Sequence, residues 1–462
     1  MIKNLLFYCF FLIGFHFGFS QTTNETATFN EIKTNYNNQE FETIFEKFSP
    51  EMKEELPLKE TNKFFIQLFQ QVGKIEQEDF IEYNESFATY KTLFDKGTLS
   101  FNFSLDEKNR INGLFIAPYQ ETIAVTNAIT QYPANTKEIL FSKTNAFPNK
   151  TQLSIAYIQN GKVNYYGIQK SNDSIISIQN HNKVFEIGSI TKVFTSTVLA
   201  DLVVNKKLKL TDNINTFYPF HFYHNQNISF QELANHTSGL PRLPSNLDLS
   251  NFENPYKEYG KPKLEEYLKY QLKVPSKTAK SYDYSNLGTG LLGYTLGLSQ
   301  KKSFQELLRK SVLNRYKMSQ TYFSAKELDN QLIKGQNELG EIISNWDFDA
   351  LFAAGGLLST IEDLTKFALA HFDSKNKSLA LTRISTYTNK TTNVALGWHL
   401  IKTKNGNEFI WHNGGTGGYS SSIAINPSNQ SAVIILSNLS SFHPKNENID
   451  QICFELMNIL ND

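Results

Sequence analysis

The spacing of apolar residues changes along the first part of the chain from a helical to a strand-like period. Phenylalanines and isoleucines recur three or four positions apart over residues 41–48 and again over residues 58–72, which predicts two helices. Short apolar runs separated by polar turns then predict strands at Phe80–Tyr83, Ala88–Phe94, Thr98–Phe103 and Ile111–Ile116. Helices followed by a strand meander predict a small α+β domain over residues 22–131.

The remainder, residues 132–462, has the pattern of one larger α/β domain. Two apolar runs, Leu153–Ile158 and Val163–Ile168, are joined by Gln159-Asn160-Gly161 and predict a hairpin. Further strands are predicted at Phe409–Trp411, Ser421–Asn426 and Ala432–Ser437, and helices at Ser189–Val204, Ser359–His371 and Asn448–Leu460. The second domain therefore should contain late antiparallel strands and a closing helix.

Glycine content and charge support this division. Residues 22–140 contain three glycines, whereas residues 150–462 contain nineteen. The net charge is −8 over residues 22–131 and +7 over residues 132–462, although the whole chain is neutral. A chain without net positive charge is not typical of nucleic-acid-binding proteins, so we predict no nucleic-acid partner.

The first twenty residues have the pattern of a signal peptide. Lys3 precedes the apolar run Leu5–Phe19, and small residues surround a cleavage position before Gln21. The run is short for a bilayer span, and no later stretch approaches the ~20 apolar residues that a span requires. We expect cleavage, export to the periplasm or the extracellular space, and no membrane span in the mature chain. An uncleaved N-terminal anchor is the alternative.

Several common sites are excluded because their motifs are missing. The chain has no Gly-x-Ser-x-Gly nucleophile elbow, no phosphate-binding P-loop and no His-Glu-x-x-His zinc motif. His221 and His224 have no acidic or cysteine partner nearby, so we interpret them as loop residues rather than metal ligands. The glycines at 288, 290 and 293 imitate a dinucleotide-binding motif, but the stretch before them is polar and no acidic ribose ligand follows. We expect these glycines to allow close helix packing instead.

A serine and a lysine three residues apart form the first candidate catalytic pair. Ser-x-x-Lys occurs at residues 189, 299 and 374, but only Ser189 precedes an apolar helix. There, Ser189 and Lys192 would share one helix face, and both the helix dipole and the ammonium would favour an alkoxide-like oxygen. A helix N-cap is the alternative role for this serine.

Tyr284 and Asn286 precede a helix of small residues, Leu287–Leu298. A cationic lysine beside a buried tyrosine lowers the tyrosine pKa, because positive charge favours the phenolate. We therefore predict that Tyr284 takes the serine proton as a general base and returns it to the leaving group. A half-buried tyrosine at a helix start, without a catalytic role, is the alternative.

Four glycines follow His412 within the segment Trp411–Tyr419. Glycine weakens a strand, so its presence there indicates that a ligand or another backbone must come close. A bare strand edge would offer backbone N–H groups to a substrate carbonyl oxygen, as half of an oxyanion hole. A glycine-rich hairpin turn is the alternative.

The three motifs, in this order and at this wide spacing, resemble the serine β-lactamase-like superfamily of penicillin-binding proteins, class C β-lactamases and related esterases. Four shorter segments also resemble its signatures: Phe185–Lys192, Leu233–Pro241, Ala354–Thr360 and Gly397-Trp398. The resemblance covers residues 132–462 and implies an antiparallel sheet flanked by helices, with an all-helical lobe and the site between them. The front domain resembles small cone-shaped domains of the NTF2-like type.

The resemblance also implies a role for each motif residue. Ser189 would be the acyl-accepting nucleophile, with Lys192 and Tyr284 as the proton-transfer pair. Asn286 would orient the lysine and the substrate. The backbone N–H groups of Ser189 and of Gly415, which follows Gly414 in the strand, would form the oxyanion hole. No metal or organic cofactor is implied.

His412 would stand where β-lactamases carry the lysine of Lys-Thr-Gly. A histidine with an ordinary pKa of about 6.5 is mostly neutral at about pH 7, so a cation for substrate carboxylates would be missing. We therefore predict a serine hydrolase for small esters or amide-type acyl substrates, with β-lactam hydrolysis improving below about pH 6 as His412 charges. The alternatives are a β-lactamase or D-alanyl-D-alanine carboxypeptidase acting on a peptidoglycan-type peptide, and a catalytically silent ligand-binding scaffold.

Overall fold

The computed structural model describes residues 23–461 except 85, 120–124, 252, 273, 275–280, 327, 329, 404 and 405. The predicted signal peptide, residues 1–20, lies outside the described residues. Contacts group the chain into two units, Met1–Ile123 and Ala124–Asp462. Within the described part of the chain, no helix is both long enough and apolar enough to cross a bilayer.

The first unit is an antiparallel sheet covered by helices, as predicted. Its elements are α1 (Thr23–Asn37), α2 (Phe41–Glu46), α3 (Pro50–Glu55), α4 (Leu58–Val72), β1 (Ile75–Asn84), β2 (Phe87–Phe94), β3 (Gly97–Leu105) and β4 (Ile111–Pro118). The strands pair in sequence order as a meander. Aromatic side chains from helix and sheet fill the core, where Phe29 stacks on Tyr90 with 4.3 Å between ring centroids.

The second unit contains the remaining helices and strands. Its strands are β5 (Thr126–Ala128), β6 (Gln152–Gln159), β7 (Lys162–Ser171), β8 (Ser174–Ser177), β9 (Val184–Glu186), β10 (Thr321–Tyr322), β11 (Leu358–Thr360), β12 (Tyr387–Thr388), β13 (Asn393–Val394), β14 (His399–Lys402), β15 (Glu408–Gly415), β16 (Ser420–Asn426) and β17 (Ser431–Ser437). Its helices are α5 (Ala134–Thr144), α6 (Thr191–Val204), α7 (Phe230–Ala234), α8 (Lys261–Tyr270), α9 (Asn286–Gln300), α10 (Phe304–Leu308), α11 (Ile361–Ala370), α12 (Lys377–Thr382) and α13 (Asn448–Asn461).

The main sheet has the strand order β12-β13-β14-β15-β16-β17-β6-β7-β8-β5. Its neighbours are antiparallel except β5 and β8, which pair in parallel. Strand β5 (Thr126–Ala128) therefore belongs to this sheet, although the sequence pattern assigned residues 22–131 to the first domain. The predicted hairpin is β6–β7, and its turn residues Asn160 and Gly161 both have positive φ, as a tight turn between twisted strands requires.

Both faces of the sheet are covered, which explains the continuous apolar runs in its central strands. Along β17, Ile434 faces the core that contains α6 and α11, whereas Ile435 faces the core that contains α5 and α13. Alternate residues point to opposite faces of a strand, so both sets of side chains are buried. Cys453 lies fully buried in α13, as its apolar spacing indicates.

Helix α9 contains the glycines that imitate a dinucleotide-binding motif. A Cβ atom at Gly290 would lie 2.5 Å from a Leu351 methyl carbon, so the helix approaches the segment before Gly355 too closely for any side chain. The close helix packing predicted for these glycines is confirmed. This contact holds α9 against the helical turn Phe352–Ala354, which also contacts α6.

Candidate active site

The candidate nucleophile lies in a single helical turn directly before α6. Gly188–Ile190 form this 3₁₀ turn, and Gly188 has a φ of +49°, a conformation that favours glycine. Ile190 is the N-cap of α6, and no side chain caps the helix. Ser189 therefore is not a capping residue, which removes the structural alternative for its role. Its side chain is partly exposed and lies 2.9 Å from the Lys192 amine, Oγ to Nζ.

Lys192 is fully buried beneath the serine. Besides lying 2.9 Å from Ser189 Oγ, its Nζ donates to Asn286 Oδ1 at 2.8 Å and to the Ala354 carbonyl oxygen at 2.7 Å. Burial lowers the lysine pKa well below its ordinary value, and the nearby Arg242 charge lowers it further. The lowered pKa favours the neutral amine, whose two N–H groups would donate to Asn286 and Ala354 and whose lone pair would accept the proton of Ser189.

Tyr284 lies against the same pair. Its ring centroid is 4.9 Å from Lys192 Nζ, and the nearby Ser189 hydroxyl acts to lower its pKa. The prediction of a phenolate is wrong, because burial raises the pKa of Tyr284 far above its ordinary value. Burial opposes both the lysine ammonium and the tyrosine phenolate. The structure therefore favours a neutral tyrosine, a proton donor, beside a lysine whose pKa is lowered.

Asn286 connects the serine side of the site to the helical lobe. Its Oδ1 accepts from Lys192, and its Nδ2 donates to the Tyr256 hydroxyl at 3.2 Å. The preceding residue, Ser285, caps α9 by accepting a hydrogen bond from the Gly288 N–H at 2.8 Å. Because the cap fixes the first turn of α9, it also fixes the direction of the Asn286 amide.

The glycine-rich end of β15 lies directly against the nucleophile turn. A Cβ atom at Gly414 would be 2.9 Å from the Ser189 backbone nitrogen and closer still to the Ile187 carbonyl oxygen. A Cβ atom at Gly188 would be 2.5 Å from the Gly415 nitrogen. The close backbone approach predicted for this segment is therefore what the structure shows. The backbone N–H groups of residues 189 and 415 consequently lie at this contact between the strand end and the nucleophile turn.

His412 is buried behind this strand end, with its ring centroid 6.2 Å from that of Tyr284. Its Nδ1 lies 2.6 Å from the Asn413 carbonyl oxygen, and because a carbonyl only accepts, Nδ1 carries the hydrogen. Burial lowers the His412 pKa well below 6.5, and His399 and Lys192 act in the same direction whenever they are charged. The prediction that His412 charges below about pH 6 is therefore wrong, since desolvation opposes the charged form.

His236 packs against the other side of the tyrosine. Its ring centroid is 4.5 Å from that of Tyr284, and its Nδ1 accepts a hydrogen bond from the Ser285 N–H at 3.2 Å. Burial also lowers the pKa of His236 well below 6.5. A neutral imidazole here packs against the tyrosine without adding charge to the site.

Three residues contribute to this site without having been predicted from the sequence. The Ala354 carbonyl accepts from Lys192, the Tyr256 hydroxyl accepts from Asn286, and the Arg242 guanidinium lies 5.2 Å from the centre of the Tyr284 ring. Ala354 and Arg242 lie in or beside segments that resemble family signatures, so their neighbourhood was indicated. Tyr256 lies in a polar stretch without periodicity and had no such signal.

Comparison with known families and relatives agrees with the motifs. Residues 147–452 match the protein family described as Beta-lactamase, and residues 30–114 match a family described as Protein of unknown function (DUF3887). A beta-lactamase from Pseudomonas fluorescens is 28% identical over 263 residues, covering 54% of this chain and 69% of that protein. Protein flp from Staphylococcus aureus (strain MRSA252) is 25% identical over 313 residues, covering 62% of this chain and 59% of its own length. The chain thus spans less than two thirds of Protein flp.

A solved structure of similar fold is the beta-lactamase/D-alanine carboxypeptidase from Pseudomonas syringae. It has a TM-score of 0.58 and 20% identity, and the match covers 70% of this chain and 97% of that chain. This likeness confirms the predicted fold, an antiparallel sheet flanked by helices with a helical lobe. The family match extends over more than half of the chain and includes Ser189, Tyr284 and His412. The chain belongs to the beta-lactamase family of serine hydrolases.

Proposed function

We propose that this protein is an exported hydrolase that cleaves small acyl esters and amides through an acyl-enzyme on Ser189. The observation that carries the proposal is the fully buried Lys192 amine, 2.9 Å from a partly exposed serine oxygen. Burying an amine costs free energy unless its hydrogen-bonding groups are paired, and a scaffold without catalytic function has no need of such a group. Here one of the hydrogen-bond partners of the amine is the hydroxyl group of the candidate nucleophile.

Acylation begins with the neutral Lys192 amine. Its lone pair takes the proton from Ser189 Oγ while that oxygen forms a bond to the substrate carbonyl carbon, and the carbonyl π electrons move to the carbonyl oxygen. The resulting oxyanion is stabilised by the backbone N–H groups of Ser189 and Gly415. These donors are held in place by the backbone contact between Gly414 and the nucleophile turn.

The leaving group departs with a proton from Tyr284. As the bond from the carbonyl carbon to the leaving oxygen or nitrogen breaks, the tyrosine hydroxyl donates its proton to that atom and recovers one from the Lys192 ammonium. Because burial raises the tyrosine pKa, the phenol is regenerated readily and does not persist as phenolate. In deacylation, Lys192 accepts a proton from water as the water oxygen bonds to the acyl carbon. The bond from that carbon to Ser189 Oγ then breaks, the acid leaves, and Ser189 Oγ regains a proton from the Lys192 ammonium.

Export is part of the proposal and is supported by the N-terminal pattern of residues 1–20. N-terminal sequencing of the protein recovered from the culture medium or the periplasmic fraction tests it. We expect the recovered chain to begin at Gln21. A chain that begins at Met1 and remains in the cytoplasmic fraction would contradict export without affecting the proposed chemistry.

The proposed chemistry is tested by labelling with a fluorophosphonate probe, which forms a covalent adduct with activated serines. Ser299→Ala is a matched control, because Ser299 also precedes a lysine by three residues but its Oγ donates to the Leu296 carbonyl oxygen. We expect labelling of the wild type and of Ser299→Ala, and none of Ser189→Ala. Equal labelling of Ser189→Ala would refute the assignment.

A further inference from the structure

Arg242 is anchored at the mouth of the site by its own backbone. Its carbonyl oxygen accepts from the Asn286 N–H at 3.0 Å and from the Leu287 N–H at 3.1 Å, at the first turn of α9. The preceding carbonyl, of Pro241, accepts from Ser285 Oγ at 2.6 Å. The arginine backbone therefore has a fixed position relative to Asn286, which in turn contacts the buried lysine.

The side chain of Arg242 extends from this anchor over the tyrosine. Its guanidinium carbon lies 5.2 Å from the Tyr284 ring centroid, and the residue is exposed to solvent. Among the described residues, no carboxylate pairs with the guanidinium and no hydrogen bond from it is formed. An arginine presents five N–H donors in a planar arrangement that matches a carboxylate. The guanidinium that carries these donors lies against the Tyr284 ring in an exposed residue.

The other basic groups around the nucleophile do not supply a cation. Lys192 is buried, and its amine already has three hydrogen-bond partners. His412 is buried with its Nδ1 hydrogen directed to the Asn413 carbonyl oxygen. Both groups have pKa values lowered by burial. Arg242, by contrast, is permanently charged, and its charge acts on Lys192 and Tyr284.

We propose that Arg242 is a specificity residue that binds a carboxylate on the substrate, so that the preferred substrates are esters or amides that carry a carboxylate. The inference rests on the proposed function of Ser189. It replaces the expectation, drawn from His412 alone, that the site lacks a cation. The charge lies in the loop after Pro241, on the Tyr284 side of the site, rather than on the strand that carries His412.

The test compares substrates that differ only in a carboxylate. One pair places it on the acyl side: the mono-p-nitrophenyl ester of suberic acid and p-nitrophenyl octanoate. The other pair places it on the leaving group: m-butanoyloxybenzoate and its carboxamide. The ratio of kcat/KM within each pair is measured for the wild type, Arg242→Gln, Arg242→Lys and Lys207→Gln. Lys207 is a matched control because it is an exposed cation beyond the opposite end of α6, about 20 Å from the nucleophile at 1.5 Å per residue.

We expect Arg242→Gln to reduce the ratio about tenfold in at least one pair, since a hydrogen bond to a charged group is lost. Arg242→Lys should retain part of the preference, Lys207→Gln all of it, and added salt should reduce the wild-type ratio. A change of less than about threefold in both pairs overturns the inference, because a structural role would lower both members of a pair equally. Turnover by Ser189→Ala would instead refute the proposed function, so the two failures are distinguishable.

Discussion

Replacing Gly414 with alanine tests the closest backbone contact in the site. The added Cβ would lie 2.9 Å from the Ser189 nitrogen and even closer to the Ile187 carbonyl oxygen, both of which are backbone atoms that no rotamer change can move. The end of β15 must therefore separate from the nucleophile turn by several tenths of an ångström. This displacement moves the proposed oxyanion donors of Ser189 and Gly415 apart.

Two magnitudes follow from that displacement. Overpacking a close contact costs about 1–3 kcal/mol of unfolding free energy. Loss of one oxyanion donor costs on the order of 10²–10³ in kcat. We therefore expect Gly414→Ala to remain folded while kcat for p-nitrophenyl butyrate falls by about 100-fold.

The assay is steady-state hydrolysis of p-nitrophenyl butyrate, with chemical denaturation of the same samples to confirm folding. Gly97→Ala is the control, because a Cβ atom at Gly97 would meet no heavy atom within 4 Å and its φ is not in the left-handed region. The control should keep wild-type activity. If Gly414→Ala kept more than a third of the wild-type kcat, the close approach of β15 to the nucleophile would have no catalytic importance, and the reasoning would be refuted.

Three further predictions concern protonation. Because burial lowers the Lys192 pKa, kcat/KM should rise with pH as the amine deprotonates and should reach a plateau well below pH 10.5. A tenfold rise per pH unit that continues to about pH 10 would contradict a neutral lysine base. Tyr284→Phe should reduce kcat by about 10²–10⁴-fold for alkyl esters. The loss should be much smaller for p-nitrophenyl esters, because their leaving group departs without a proton. Equal losses for both kinds of ester would exclude the tyrosine as the proton donor to the leaving group. Burial raises the pKa of Glu186 from 4.5 to about 7, so its contribution to stability is present below pH 4.5 and lost as pH rises through about 7. Between pH 4.5 and about 7, the unfolding free energy of Glu186→Gln should increase relative to that of the wild type by about 1.4 kcal/mol per pH unit, as measured by denaturation. A constant difference in unfolding free energy would show that the carboxyl group is ionised throughout.

The fold of the second unit was largely predictable because its strands and helices have strong periodic patterns. The ends of strand β6 and helix α13 were predicted within one residue. The start of β7 was also predicted within one residue, but its end lies three residues later than predicted, at Ser171. The short strands β12 and β13, by contrast, contain two residues each, too few to show a period. Helix α1 was missed because few of its fifteen residues are apolar, which leaves only a weak periodic pattern.

The candidate site was predictable in its residues but not in its charges. Ser189, Lys192 and Tyr284 occur in recognisable local motifs, and the structure brings them together. Their protonation, however, depends on burial by distant segments, which no local motif reports. Sequence reasoning assigned a charged lysine and a phenolate, whereas desolvation raises the cost of both charged forms. Arg242 was missed for a related reason, since its position over the tyrosine arises only from the packing of its loop on α9.

The central claim is that Ser189 forms an acyl-enzyme. It is tested most directly by mass spectrometry of the protein quenched with acid during turnover of p-nitrophenyl butyrate. We predict an added butanoyl group in the wild type, located by fragmentation on Ser189, that disappears when the substrate is exhausted. A butanoyl group on any other residue, or continued turnover by Ser189→Ala with no adduct, would contradict the account.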